Sequence, residues 1–191
     1  NGAVNFHIRS GNYNAQFTIK KISGASATNT ITFKPDPANT STATIQFNNS
    51  TAADNYVIRL KSAKYISFDS LSIGNTSAGQ YATVIAFNDT CEHISFTNST
   101  IQGSSRYPTS VSTALIWDER GTTHNSHNVT FENNEILNGA YSFYIYGASS
   151  SITLQQDKWI IKNNRITGWG YYAIYSYYNR NIEIVNNTIT S

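Results

Sequence analysis

Val129-Thr130-Phe131-Glu132-Asn133-Asn134-Glu135-Ile136 is the stretch from which the fold can be read. Apolar and polar residues alternate through Phe131, so one face of a short strand is apolar. Two Asn then follow, a residue type that tolerates the left-handed backbone of a sharp bend, and Ile136 opens the next apolar position. The pattern recurs as Ile66-Ser67-Phe68-Asp69-Ser70-Leu71-Ser72-Ile73 and as Ile94-Ser95-Phe96-Thr97-Asn98-Ser99-Thr100-Ile101. It returns as Trp159-Ile160-Ile161-Lys162-Asn163-Asn164-Arg165-Ile166 and as Ile182-Glu183-Ile184-Val185-Asn186-Asn187-Thr188-Ile189. Successive copies start 28, 35, 30 and 23 residues apart, and Ile31-Thr32-Phe33 is an incomplete earlier one.

Between the copies lies a second short strand pattern: Tyr56-Val57-Ile58-Arg59-Leu60, Thr83-Val84-Ile85-Ala86-Phe87, Ala114-Leu115-Ile116-Trp117, Phe143-Tyr144-Ile145-Tyr146 and Tyr172-Ala173-Ile174-Tyr175. A repeat as short as 23 residues cannot bury its own apolar face. Stacked repeats can, each strand pairing with its equivalent one coil away at about 4.8 Å. The expected fold is all-β: a right-handed parallel β-helix, or β-solenoid, of short strands, with 1–191 as a single domain. The longer repeats place side loops at 104–112, 119–126 and 148–156. Alternation sends Ile66, Phe68, Ile94, Phe96, Val129, Phe131, Ile161, Ile182 and Ile184 inward. Asn98, Asn133, Asn163 and Asn186 are expected to form an internal ladder, each amide bonding its equivalent one coil away, with Ser70 as a weaker member.

Composition agrees with a strand-built chain. There are 22 Ile against 5 Leu, with 13 Tyr and 9 Phe, the β-branched and aromatic set that suits a pleated surface. Charged residues make up only 13% of the chain, while Asn, Ser and Thr contribute 68 of 191 residues. The net charge is +2 without a basic run, which disfavours a partner tracked through its phosphates, so no nucleic-acid binding is expected. Cys91 is alone and forms no internal disulfide. No apolar stretch is long enough to span a membrane. The chain has no Met and enters strand pattern at Val4, Phe6 and Ile8, so it reads as part of a longer polypeptide. It stops just after Ile189 without a polar cap, so further sequence is expected to continue the stack, and the isolated piece to pair end to end.

The five copies resemble the repeats of the pectate-lyase-like β-helix superfamily. The run Phe6-His7-Ile8-Arg9-Ser10-Gly11-Asn12-Tyr13-Asn14-Ala15-Gln16-Phe17-Thr18-Ile19, followed by Ile22-Ser23-Gly24-Ala25-Ser26, is similar to the opening coil of large secreted β-helix proteins of Bacteroidetes. The resemblance implies an extracellular or cell-surface setting and neighbouring domains in the same chain. It is specific for fold rather than activity, since this architecture hosts lyases, esterases, hydrolases, tailspikes and adhesins.

A calcium-dependent lyase needs clustered carboxylates, because Ca²⁺ takes six or more oxygen ligands. The outward file beside the Asn corner is Asp69, Thr97, Glu132, Lys162 and Val185, with two acids two coils apart, so no metal site is expected. The densest charged run, Asp118-Glu119-Arg120, follows the strand ending at Trp117. Paired carboxylates beside an Arg are the minimum for acid–base glycoside cleavage, against the plainer reading of a solvated loop with a local ion pair. His124 and His127 lack further ligands at metal spacing, and Cys91 beside Glu92-His93 reads as a small buried corner residue. Eight Asn-Xaa-Ser/Thr sequons, Asn39, Asn75 and Asn128 among them, are expected by chance in so polar a chain. Thr28-Asn29-Thr30-Ile31-Thr32 has no coil-to-coil Thr file of the kind an ice-binding solenoid presents.

The second strand pattern carries the stronger signal. With Ile58, Ile85, Ile116, Ile145 and Ile174 inward, the following residues Arg59, Ala86, Trp117, Tyr146 and Tyr175 form one outward file. Tyr144 shares that face, and Trp169, Tyr171, Tyr177 and Tyr178 lie in nearby turns. Aromatic rings flanked by Asn and Ser donors suit sugars, which need apolar contact and hydroxyl hydrogen bonds more than charge. Packing beneath a loop or a neighbouring domain is the plainer alternative. The expected function is a non-catalytic, surface-exposed module for adhesion or carbohydrate binding through Trp117, Tyr144, Tyr146 and Tyr175, with a polysaccharide partner and no cofactor. The alternative is a polysaccharide lyase or glycoside hydrolase with a loop-borne site at Asp118, Glu119 and Arg120, and a purely structural spacer is the third reading.

Overall fold

The computed structural model describes residues 2–39, 42–49, 51–103, 109–118 and 125–191. The chain winds as a right-handed parallel β-helix whose strands fall in three faces per coil. The first coil comprises Val4–Ile8, Gly11–Asn14 and Phe17–Lys20; the second Ile31–Pro35, Ala43–Phe47 and Ile58–Lys61. The third comprises Lys64–Asp69, Ser72–Asn75 and Ile85–Asn88; the fourth Glu92–Thr97, Thr100–Gln102 and Ile116–Asp118. The fifth comprises His127–Glu132, Glu135–Leu137 and Tyr141–Tyr146; the sixth Gln156–Lys162, Arg165–Thr167 and Tyr172–Tyr177. Asn179–Arg180, Glu183–Val185 and Thr188–Thr190 begin a seventh. Each strand pairs in parallel with its equivalents one coil below and above, giving three stacked sheets. Short 3₁₀ turns at Val111–Thr113 and Ile152–Leu154 lie on the insertions of the longer repeats.

In the first sheet the register is the one the repeats predict. Ile66 pairs with Ile94, Ile94 with Val129 and Val129 with Trp159, while Phe68, Phe96 and Phe131 share the next column. Phe33 and Phe6 extend that column downward, and the rings stack at 5.0, 5.1, 4.7 and 5.0 Å from Phe6 to Phe131. Phe68, Phe96 and Phe131 are fully buried, whereas Phe6 in the first coil is 49% exposed. Ile184 departs from expectation: it holds an inward register position but is 45% exposed, because no described coil lies above it.

From the third coil upward, each first-sheet strand is bounded by two bends. Tyr65, His93, Asn128, Lys158 and Asn181 have left-handed backbone at its start, and Ser70, Asn98, Asn133, Asn163 and Asn186 have it at its end. Within each of these five coils the two bends are five residues apart. This constancy keeps the strands in register while the step between copies varies.

The internal ladder lies one residue later than expected. Asn98, Asn133 and Asn163 are the left-handed residues and are exposed; Asn98 donates to Asp69 Oδ1 at 2.7 Å on the surface, and Asn186 is exposed as well. The buried series is Ser99, Asn134 and Asn164, continued by half-buried Asn187. Asn134 Nδ2 donates to Asn164 Oδ1 at 3.0 Å, and Asn164 Nδ2 to Asn187 Oδ1 at 3.0 Å. Each amide also reaches back one coil: Asn134 accepts from the Ser99 N–H and donates to the Phe96 carbonyl. Ser99 Oγ takes the Leu71 N–H at the lower end, so Ser70 is no member. Left-handed backbone at the first residue of the pair turns that side chain out and its neighbour in.

A second buried polar network joins the second and third sheets. Asn49 donates to Asn55 and to the Thr83 carbonyl, Asn55 accepts the Thr83 N–H, and Asn55 donates to the Ser112 carbonyl. The network satisfies backbone groups that the change of direction would otherwise leave unpaired in the interior.

Candidate functional site

The third sheet presents the aromatic face. Its inward column is Phe17, Ile58, Ile85, Ile116, Phe143 and Ile174, and the outward file one residue later is Thr18, Arg59, Ala86, Trp117, Tyr144 and Tyr175. Tyr144, not Tyr146, therefore continues the file from Trp117. Tyr146 pairs with Tyr177 in a second outward file on the same face. The expected alignment through Ile145 is thus corrected by two residues: Phe143 takes the place opposite Ile116, and Ile145 stands opposite Ser176.

The rings form a packed slab rather than a free-standing row. Tyr144 and Tyr175 stack at 5.0 Å with an interplanar angle of 8°, and Tyr146 lies nearly parallel to both. Tyr141 is buried behind them and meets Tyr144, Tyr171 and Tyr175 edge-on. Trp117, Tyr144, Tyr146 and Tyr175 are half-buried. Tyr171, Tyr172 and Tyr177 are 52%, 44% and 46% exposed and form the outer surface. Stacked faces cover one another, so outside the slab's end rings a ligand meets ring edges and phenol hydroxyls. Gly147 ends the Tyr141–Tyr146 strand where the Tyr178 carbonyl occupies the space a Cβ would need, which lets the turn carrying Tyr178 close against the slab.

At the lower end of the face, Arg59 lies 3.9 Å from the Tyr56 ring centroid and donates to the Ala53 carbonyl at 3.2 Å. This cation–π contact fixes the guanidinium over an aromatic surface and leaves the face polar below Ala86 and aromatic above it.

Of the loop-borne acidic site only Asp118 lies within the described residues, and it does not take the loop position expected of it. Asp118 occupies the register position of Phe87 and Leu60, points inward and is 3% exposed. Its carboxylate accepts from Gln156 Nε2, and Gln156 Oε1 accepts the Ser126 N–H. A carboxylate so engaged inside the solenoid is not presented to a solvent-borne substrate. Glu119, Arg120 and His124 lie outside the described residues.

Cys91 is buried, as its corner position implies, and its thiol donates to the Leu60 carbonyl at 3.3 Å. Burial, with the Asp118 charge adding to it, pushes the thiol up to about 12, so it stays protonated at neutral pH. Glu92 turns away to Lys64 Nζ at 2.7 Å, and His93 stacks on Tyr65 at 4.5 Å, so neither forms a nucleophile–base dyad with Cys91.

Most outward carboxylates of the first two sheets are engaged coil to coil. Glu132 pairs with Lys162 at 3.1 Å, Glu135 with Arg165 at 2.7 Å, and Asp157 with Arg180 at 2.9 Å. Lys64, Glu92, His127, Asp157 and Arg180 make one continuous file. Burial holds the His127 imidazole below its ordinary range, with Asp157 opposing that shift. Among the described residues no three metal-ligating side chains gather into a possible cation site, and no helix is long and apolar enough to cross a membrane.

Comparison with protein-family models, with curated proteins and with solved structures returns no match.

Proposed function

We propose that this chain is a non-catalytic, carbohydrate-binding or adhesive module that works outside the cell and engages a glycan through its third-sheet face. The observation that carries the reading is the convergence of Tyr141, Tyr144, Tyr146, Tyr171, Tyr172, Tyr175, Tyr177 and Tyr178 on one side of the upper coils, with Trp117 continuing the file below. Burying rings against each other pre-organises them, so a ligand does not bear the entropy of ordering them. Tyr172 and Tyr177 offer apolar surface to a pyranose, while the phenol hydroxyls offer donors and acceptors. The coil-to-coil pairing of the carboxylates favours binding over acid–base chemistry. The resemblance of the repeats to pectate-lyase-like β-helices supports an extracellular polysaccharide setting, with the module one part of a larger surface protein.

A glycan array followed by titration calorimetry tests this. The parent protein is expected to bind a neutral or weakly charged glycan, and Tyr172→Ala with Tyr177→Ala to weaken it about tenfold or more, equivalent to about 1.4 kcal/mol. Both rings are nearly half exposed, so the variant should lose only about 2 kcal/mol of stability and stay folded, which unfolding curves check. Unaltered affinity in this variant overturns the reading, and release of reducing ends or unsaturated products in parallel assays replaces it with the lyase or hydrolase alternative.

A further inference from the structure

The first sheet carries a separate groove on another face of the solenoid. One wall is the file of left-handed residues Asn128, Lys158 and Asn181, and the other is the outward file Thr130, Ile160 and Glu183. The groove continues down to His93 and Ser95 and encloses about 480 Å³. It crosses the fourth to seventh coils along the solenoid axis, a length of about 14 Å at the usual inter-strand spacing. His93 rests flat on Tyr65 of the coil below, with ring centroids 4.5 Å apart and 7° between planes, so an ordered aromatic pair bounds the lower end.

Charge sets this groove apart from the surface around it. Lys64, Lys162, Arg165 and Arg180 each hold a carboxylate of an adjacent coil. Lys158 and Glu183, both exposed and both lining the groove, have no ion-pair or hydrogen-bond partner among the described residues. The left-handed bend at Lys158, with φ of 53°, sets its side chain off the regular strand alternation and out of the cross-coil pairing that neighbouring Asp157 makes.

We propose that this groove binds a linear glycan that carries an isolated carboxylate. Lys158 receives the carboxylate as a charge-assisted hydrogen bond. Glu183 accepts from neighbouring sugar hydroxyls, Asn128 and Thr130 donate and accept along the chain, and Ile160 supplies an apolar rest for a pyranose face. A polyuronate is disfavoured, because a charge at every sugar demands a cation on every coil and here Glu183 repels the next one. The site is independent of the tyrosine face.

The test is titration calorimetry with xylotetraose and with the same tetrasaccharide bearing a single glucuronic acid branch. The acidic probe is expected to bind at least tenfold more tightly. Lys158→Gln should abolish that preference without altering the affinity for xylotetraose, Lys158→Arg should retain it, and Tyr172→Ala with Tyr177→Ala should leave it intact. Equal affinity for the two probes, binding of neither, or a preference that survives Lys158→Gln overturns the proposal. Loss of the preference in the tyrosine variant overturns it too, by moving the acidic site to the third sheet. A preference that follows Lys158 while the tyrosine variant changes no glycan affinity supports the groove and defeats the tyrosine face alone.

Discussion

Asn133 and Asn134 are adjacent and chemically identical, yet the solenoid uses them for opposite purposes. Asn133 provides left-handed backbone with φ of 58° and an exposed side chain. Asn134 is buried and serves the Ser99 N–H, the Phe96 carbonyl and the Asn164 amide. Asn134→Ala strands these groups in the interior, where each unpaired one costs about 1–3 kcal/mol, so a loss of about 3 kcal/mol or more is expected. Asn133→Gly keeps the bend and should fall within about 0.5 kcal/mol of the parent, whereas Asn133→Ala should lose about 1 kcal/mol to backbone strain. Urea unfolding midpoints rank the three variants, and a larger loss at 133 than at 134 would falsify the assignment of the ladder.

At the scale of the strand, equivalent positions stack into columns whose energetics depend on the coil. Phe96 lies between Phe68 and Phe131 at 4.7 and 5.0 Å and is fully buried, while Phe6 at the foot of the column has only Phe33 above it. Phe96→Ala removes a ring that two neighbours cannot collapse upon, because strand pairing holds the coils at fixed spacing, and about 3–5 kcal/mol is expected. Phe6→Ala forfeits roughly half a burial, about 1 kcal/mol. Denaturation of the two variants should show that contrast, and equal losses would mean that the column does not carry the stack. The outward files obey the same cross-strand logic with charge, placing Lys64 opposite Glu92 and Glu132 opposite Lys162.

For the molecule as a whole, half-buried His127 and buried Cys91 set a pH window. His127 has its pKa lowered from 6.5 by burial, so the fold prefers its neutral form; that contribution is present above 6.5 and is lost as pH falls through the lower folded value. Cys91 is raised from 9.0 to about 12, so its contribution is complete below 9.0 and is lost as pH rises toward 12. Thermal midpoints are therefore expected to be level between about 6.5 and 9 and to fall on both sides, with Cys91→Ser flattening the alkaline limb and His127→Gln the acid one. The thiol should resist alkylation at neutral pH until the chain unfolds. Rapid labelling of the native protein would contradict the closed packing at that corner.

The repeat alone determined that this is a parallel β-helix, which residues of the first sheet share a column, and that Phe68, Phe96 and Phe131 stack. Alternation assigns faces, and the corner at constant distance from each strand anchors the register. In the third sheet no such anchor exists. Phe143-Tyr144-Ile145-Tyr146 alternates equally well after a slip of two residues, which leaves every side chain on its own face, so pattern could not choose between Tyr144 and Tyr146 as the neighbour of Trp117. Which Asn of each pair turns inward depends on where the left-handed bend falls, and the bends at Tyr65, His93 and Lys158 involve residue types that give no hint of one. Asp118 reads as a surface acid until Gln156, 38 residues further on, meets it inside the solenoid. The pairing of most outward charges, and the unpaired state of Lys158 and Glu183, likewise arises only when residues from different coils come within about 4 Å of one another, since local sequence specifies the pleat while stacking decides who faces whom.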